Sequence, residues 1–396
     1  MKLTAFTLLF SVIITLVSCG EQKENEPIAT SESENNSYTY DYEVVVPDLE
    51  IGWGFAFLPD GSILITEKNG DLIHFKDGEK TTVTGAPEVY LRGQGGFLDV
   101  FLHPDYQSNG WIYFTFASSE GEGEGGNTAL MRAKLQEGQL VEKEQLYKAG
   151  PNTTQGVHFG SRIAFDNDGY LYFTIGDRGN RDENPQDLNR DGGKTYRLND
   201  DGSIPSDNPF TDQQDAKHAV YSYGHRNAQG MAIHPETGEI WLHEHGPQGG
   251  DEINIVKEGA NYGWPVVSYG INYDGSSFTE ETEGPDFEAP IHYWVPSIAP
   301  SGLAFVTADT YPELQGDLLV GSLKFQYVEH LEMDGETVVS RNKLLEGIGR
   351  IRDVRESPDG HIYLSVEGKG IVRLLSEEAS SDTSSQAGTD TTGTAS

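Results

Sequence analysis

The chain has 396 residues, 36% of them hydrophobic and 10% aromatic, with 47 Gly and 19 Tyr. That is enough to bury a sizeable core, in a turn-rich chain short of long aliphatic helices. Its 27 Lys and Arg face 63 Asp and Glu, a net charge of −36, which excludes the basic footprint that nucleic-acid binding needs.

In chain order, Lys2 is followed by the apolar run Leu3–Val17 and then Leu16-Val17-Ser18-Cys19-Gly20. The run is too short for a spanning helix and has the charged start of a secretion signal. Leu-Val-Ser-Cys resembles the bacterial lipobox, in which the Cys becomes the acylated first residue. Residues 1–19 are therefore expected to be a lipoprotein signal and Cys19 the lipidation site. The protein is expected to be exported and held at the cell envelope by lipid alone. Cys19 is the single cysteine, so no internal disulfide is possible. Residues 20–40, rich in Glu, Asn and Ser, read as a flexible tether. Residues 377–396 read as a disordered Ser/Thr-rich acidic tail. These ends hold nine acids and two bases, which leaves 54 acids against 25 bases in the body, residues 41–376.

Within that body an apolar strand, a tight turn and a second β-rich strand recur six times. Ala56-Phe57-Leu58-Pro59-Asp60-Gly61-Ser62-Ile63-Leu64-Ile65 is the clearest copy; Pro and Gly supply the turn's backbone angles. Further copies start at Val100, Ala164, Ala232, Leu303 and Ser357. Units at this spacing, all β and joined by Gly/Pro turns, predict a six-bladed β-propeller with long insertions in blades three to five. A β-sandwich is the structural alternative.

Between the repeats lie segments dense in Gly, His, Arg and Asn: Arg92–Gly96, His158–Arg162, Gly176–Gly179, Tyr223–Gly230, His243–Glu252, Asn261–Pro265, Gly321–Lys324 and Gly349–Asp353. Each adjoins a repeat strand, so all can meet at one end of a central channel. In so acidic a chain, Arg226, Lys324, Arg350 and Arg352 in Gly-rich turns point to an anionic ligand. His243 and His245 share a strand face, but no third ligand has zinc-site spacing.

Together these motifs resemble the pyrroloquinoline-quinone-dependent aldose (glucose/sorbosone-type) dehydrogenases, which are six-bladed propellers. The resemblance runs from about Trp53 to Leu374. It implies that Gln94, Arg226, Asn227, Tyr273, Lys324, Arg350 and Arg352 hold the quinone and its carboxylates. It implies that the main-chain carbonyls of Gly246 and Pro247 bind an active-site calcium ion, and that Glu252 and Tyr262 bind a second, structural one. His158 would be the general base, with Asp177 holding its tautomer. The substrate would be a sugar oxidised at C1 to the lactone, with the electrons passing to an unidentified acceptor. Val157 stands where the soluble glucose enzymes carry Asp, and His245 where they carry Gln, so glucose itself is not implied. A metal-dependent lactonase and a non-enzymatic glycan- or protein-binding propeller are the rival readings.

Overall fold

A computed structural model describes residues 38–378; Cys19, the signal and most of the tether and tail lie outside them. Twenty-four strands form six four-stranded antiparallel sheets. The only helix among the described residues is one turn, Tyr106–Asn109. The first strands of the six blades are Gly52–Phe57, Phe97–Leu102, Ile163–Phe165, Ala228–Ile233, Pro300–Phe305 and Ile351–Glu356. Each packs against the next, and the sixth against the first, so the sheets close into a ring around an axis. The chain is a six-bladed propeller, and each sequence repeat is the hairpin of first and second strands in one blade.

Each pair of neighbouring blades buries its own apolar core, as where Ala56, Leu64 and Phe97 meet Phe114 and Ala129 between blades one and two. The ring is closed by the N-terminal strand, Tyr38–Pro47, which pairs with the final strand, Gly370–Glu378, as the outer strand of blade six. That pairing starts at Tyr38↔Glu378, so the two strands take in residues 38–40 and 377–378 at the inner edges of the expected tether and tail.

A polar ring stitches the blades together near the axis. The fourth residue of five second strands is Thr66, Thr174, His243, Gly321 or Ser365, and the fifth of the longer one in blade two is Thr115. Thr115 Oγ1 accepts from Asp99 N–H at 3.0 Å and donates to Ser161 O of the next blade at 2.7 Å. Thr66 links in the same way to Leu98 O, and Ser365 to Gly52 O. In blade five, where glycine leaves no side chain, Ser301 on the first strand bonds Arg352 O at 2.6 Å. His243 Nε2–H serves blade four, donating to Gly302 O at 2.9 Å. Burial drives its ionisation down to about 3, so the ring is neutral. The His243/His245 pair is thus spent on main-chain carbonyls, since His245 Nε2 bonds Pro300 O at 2.7 Å.

Asp99, Arg162 and Asp353, all buried, form a charge-balanced square with the partly buried Arg355. Arg162 Nη1 lies 2.8 Å from Asp353 Oδ1 and 3.3 Å from Asp99 Oδ1, and Arg355 pairs with both aspartates.

Candidate active site

Strand direction sets where the site forms. In an antiparallel blade the start of the first strand and the end of the second lie at the same end. Gln94, His158, Arg226, Asn227 and Arg350 lie just before first strands, and Arg352 begins one. Asp177, Gly246 and Lys324 follow second strands. All therefore gather at one end of the channel. Register shifts near the start of five of the six first strands let that end splay open.

His158 has a left-handed backbone, φ 53°. Its N–H donates to Gln94 Oε1 at 2.6 Å, while Gln94 N–H donates to Gly156 O at 2.7 Å. The imidazole Nδ1 lies 2.6 Å from Asp177 Oδ1. Asp177 also accepts from Gly179 N–H at 2.7 Å and from the Trp264 indole N–H at 2.9 Å. Burial opposes its charge, but the His158 bond, backed by the Arg226 charge and the Gly179 N–H, outweighs it and holds the carboxyl below its usual range. An ionised Asp177 can only accept, so Nδ1 carries the proton and Nε2 the lone pair. Among the described residues Nε2 has no hydrogen-bond partner. Burial, then the Arg226 and Arg178 charges, push the imidazole below its ordinary range against the pull of Asp177; the ring is a neutral base.

The neighbouring loops are locked to this dyad. Asn227 Oδ1 accepts from Gly160 N–H at 3.0 Å, and Asp177 N–H donates to Arg226 O at 2.8 Å. Gly160 has φ 64°, and a Cβ there would sit 2.7 Å from Gly176 N, so only glycine lets the two loops meet.

Gln94, Arg350 and Arg352 line one cavity of about 240 Å³ with Trp53, Lys68 and Phe159. Glu367 pairs with Arg350 and Arg352 and aims both guanidinium groups. The buried Arg352 Nε–H has no partner among the described residues, so a donor remains for an anion. Arg350 Nη1 bonds Leu323 O at 2.9 Å, which brings the turn holding Lys324 alongside. Arg226 Nη1 bonds His245 O at 3.0 Å, and its guanidinium lies 5.4 Å from the Trp264 ring.

Arg226, Gly246, Glu252 and Tyr262 surround a second, very small cavity of about 10 Å³ with Glu244 and His245, room for one water-sized body. Burial first, then Glu244, raises the Glu252 carboxyl well above its usual range. No ion pair among the described residues includes Glu252. The Tyr262 hydroxyl is spent on Ile255 O at 2.5 Å and Lys257 N–H at 2.9 Å, which leaves its main-chain carbonyl for any ligand. Gly246 N–H is held by Asp251 Oδ1 at 2.8 Å. The described residues contain no cluster of three or more His, Cys, Asp or Glu fit to hold a metal. A cation here would draw on main-chain and ligand oxygens beside Glu252, a donor set that suits a hard ion. The residues fit calcium better than zinc.

Tyr262, Trp264 and Tyr273 arrive by a route the repeats do not foretell. The segment between Val256 and His292 leaves the third strand of blade four at the far end of the channel. It then climbs beside the outer strand of blade three: Gly259 N–H bonds Tyr221 O, Tyr262 N–H bonds Tyr223 O, and Trp264 N–H bonds Gly224 O, at 2.8 to 2.9 Å. Tyr273 stands at the rim, 75% exposed. Its neighbour Asn272 accepts from Arg181 Nη1 at 2.7 Å. Pro247 packs against Gly270 of the same segment. Trp264, Glu244, Glu367, Lys68 and Arg178 were given no role from sequence, although Trp264, Glu244 and Arg178 sit inside the Asn261–Pro265, His243–Glu252 and Gly176–Gly179 motifs.

An oriented imidazole beside an arginine-lined cavity, at the mouth of a six-bladed ring, marks an enzyme of the propeller class that acts on a ligand at the channel end. Residues 49–374 match Glucose / Sorbosone dehydrogenase, and the chain belongs to that family; it is a sugar dehydrogenase, an oxidoreductase. It is 40% identical over 335 residues to aldose sugar dehydrogenase YliI of Escherichia coli, covering 82% of this chain and 90% of that one. The crystal structure of the soluble aldose sugar dehydrogenase from E. coli, in the apo form, superposes with a TM-score of 0.82 at 37% identity, covering 85% and 99% of the two chains. A PQQ-bound aldose sugar dehydrogenase from Streptomyces coelicolor superposes at 0.70 with 28% identity, covering 86% and 98%. No helix among the described residues is long and apolar enough to cross a membrane.

Proposed function

We propose that the protein oxidises an aldose at C1 to the lactone, with pyrroloquinoline quinone as oxidant and calcium as its metal. The observation that carries this reading is the His158–Asp177 dyad, its Nε2 left without a partner among the described residues, on a loop whose next residue, Phe159, lines the cavity with Gln94, Arg350 and Arg352. Gln94, Arg226, Asn227, Lys324, Arg350 and Arg352 would hold the anionic quinone, with Tyr273 at the rim. The carbonyls of Gly246 and Pro247 would face the active-site calcium, and Glu252 with the Tyr262 carbonyl a structural one. When bound, the quinone supplies a two-electron, hydride-accepting oxidant and calcium the Lewis acidity that polarises it.

The chain's own groups supply position and proton transfer. His158 Nε2 removes the anomeric hydroxyl proton, and Asp177 stabilises the imidazolium that results. Loss of that proton, with two electrons and hydrogen from C1, leaves a lactone carbonyl. Trp264 bonds Asp177 on its second oxygen, and burial, helped by the Arg226 charge, keeps the resting base neutral. Reoxidation then requires an external electron acceptor.

The test is dye-linked oxidation of a sugar panel by residues 38–378, first cofactor-free and then with quinone, calcium or both. Activity is expected only with both. His158→Ala is expected to bind the quinone normally and lose about 10²–10⁴-fold in turnover. No activity and no spectral sign of quinone binding would overturn the reading in favour of a lactonase or a glycan-binding propeller. Full turnover in His158→Ala would remove His158 as the base.

A further inference from the structure

Arg178 is an unusual buried charge. Its residue is 2% exposed, and no carboxylate lies within ion-pair reach among the described residues. A lone buried guanidinium is costly; burial draws its ionisation down to about 10. All its hydrogen bonds go to main-chain carbonyls. Nη2 donates to Gln155 O at 2.8 Å and to Gly126 O at 3.1 Å, and Nη1 donates to Val157 O. The guanidinium plane stacks on Phe159 at 3.5 Å. Every contact is thus to the segment that carries His158, or to Gly126 at the edge of blade two.

We propose that Arg178 is the positioning residue of the base: it grips the chain on both sides of His158 and fixes the left-handed backbone that turns the imidazole onto Asp177. This rests on the reading of His158 as base. The geometry gives the reason for an arginine. Two carbonyls, Gln155 O and Val157 O, flank Gly156 in one short loop, and a planar fork reaches both while stacking on the next ring. A lysine has one point of attachment and no plane to stack. The opposite side of the loop is held by Gln94, so His158 sits between two clamps. The fork also sets a fixed positive charge beside the dyad. The charged or titratable groups facing His158 are Asp177, Arg226, Arg178 and, further off, His245.

The experiment compares wild type, Arg178→Lys and Arg178→Met in two measurements. One is NMR titration of the His158 imidazole in cofactor-free protein. The other is kcat and KM of the quinone- and calcium-loaded enzyme, with quinone affinity. Arg178→Met should raise the His158 titration and weaken the Nδ1–H signal of the Asp177 bond. It should lower kcat about 10–100-fold, the scale of a misplaced catalytic group, with quinone affinity within about threefold. Arg178→Lys should restore the titration through its charge but not kcat, because the fork is missing. Wild-type kcat in both variants would overturn the proposal. So would an unchanged His158 spectrum with parallel losses of quinone affinity and thermal stability, the mark of a merely structural residue. If Arg178→Met does not fold, the split between charge and geometry in Arg178→Lys decides. If wild type oxidises no sugar, the proposed activity fails while the NMR titration still judges the role of Arg178.

Discussion

At the scale of single residues, the chemistry depends on which nitrogen of His158 holds the proton. Asp177 meets three donors, so a carboxylate is the form its surroundings favour. Asp177→Asn keeps the shape but can place an amide N–H against Nδ1, which would move the ring proton to Nε2 and remove the base. Turnover is expected to fall about 10²–10⁴-fold with the fold retained; near-normal turnover would show that Asp177 does not set the tautomer. The direction of pH dependence follows from the same contacts. His158 is shifted below the ordinary imidazole value of 6.5, so it stays unprotonated to lower pH. The acid limb of kcat/KM should therefore lie below 6.5, with activity lost only as pH falls through the shifted value. An acid limb above 6.5 would contradict the burial and the Arg226 and Arg178 charges around it.

At the scale of the element, neighbouring blades are tied by single polar side chains, most of them a Thr or Ser on a second strand. Thr115 is fully buried, and both groups it bonds, Asp99 N–H and Ser161 O, are buried too. Thr115→Val keeps the volume and strands a donor and an acceptor, at a cost of about 1–3 kcal/mol. Urea unfolding should show that loss, with most of it restored in Thr115→Ser. No loss would mean that the inter-blade bond adds nothing to the apolar contacts around it. His243, doing the same work in blade four, shows why a His-x-His pair on a strand is not by itself a metal site. A third ligand is missing, and main-chain carbonyls occupy the rings.

At the scale of the whole molecule, charge dominates. The body carries 54 acids against 25 bases, and several of those bases are bound inward. Arg162, Arg355, Arg178, Arg226 and Arg352 are committed to the axis, the base loop or the cavities. Buried carboxylates, Asp99, Asp177 and Asp353 among them, accompany these arginines, so the net acidity of the body remains to be carried by its surface. Self-repulsion of this kind weakens a compact state and is screened by salt. The unfolding temperature should rise as salt goes from about 0.01 M to 1 M and the Debye length falls from about 30 Å to 3 Å. A flat or falling curve would mean that surface ion pairs, such as Lys134–Glu142 at 2.8 Å, outweigh the net repulsion.

The number of blades was legible in the chain because a propeller is periodic: six strand–turn–strand units with Pro/Asp/Gly turns leave few other ways to bury six apolar faces. The convergence of the Gly-, Arg- and His-rich turns was legible for the same reason, since antiparallel strands return every first-strand start to one end. The family resemblance named His158, Asp177, Arg226, Asn227 and Arg350 as site residues, and the fold brings the loops that carry them to one end of the channel. What sequence could not show is what those residues spend their bonds on. Gln94 and Asn227 anchor the loop that carries His158, and Gln94 lines the cavity as well, because two loops approach closely at Gly93 and Gly160. Arg178 looked like one member of a Gly-rich turn until its three carbonyl partners, up to 52 positions away, were brought around it. The climb of residues 257–291 along blade three, which delivers Trp264 and Tyr273, is a packing outcome with no periodic trace. Local pattern determines the units and the end of the barrel where they meet; only the closed ring decides which buried donor finds which acceptor.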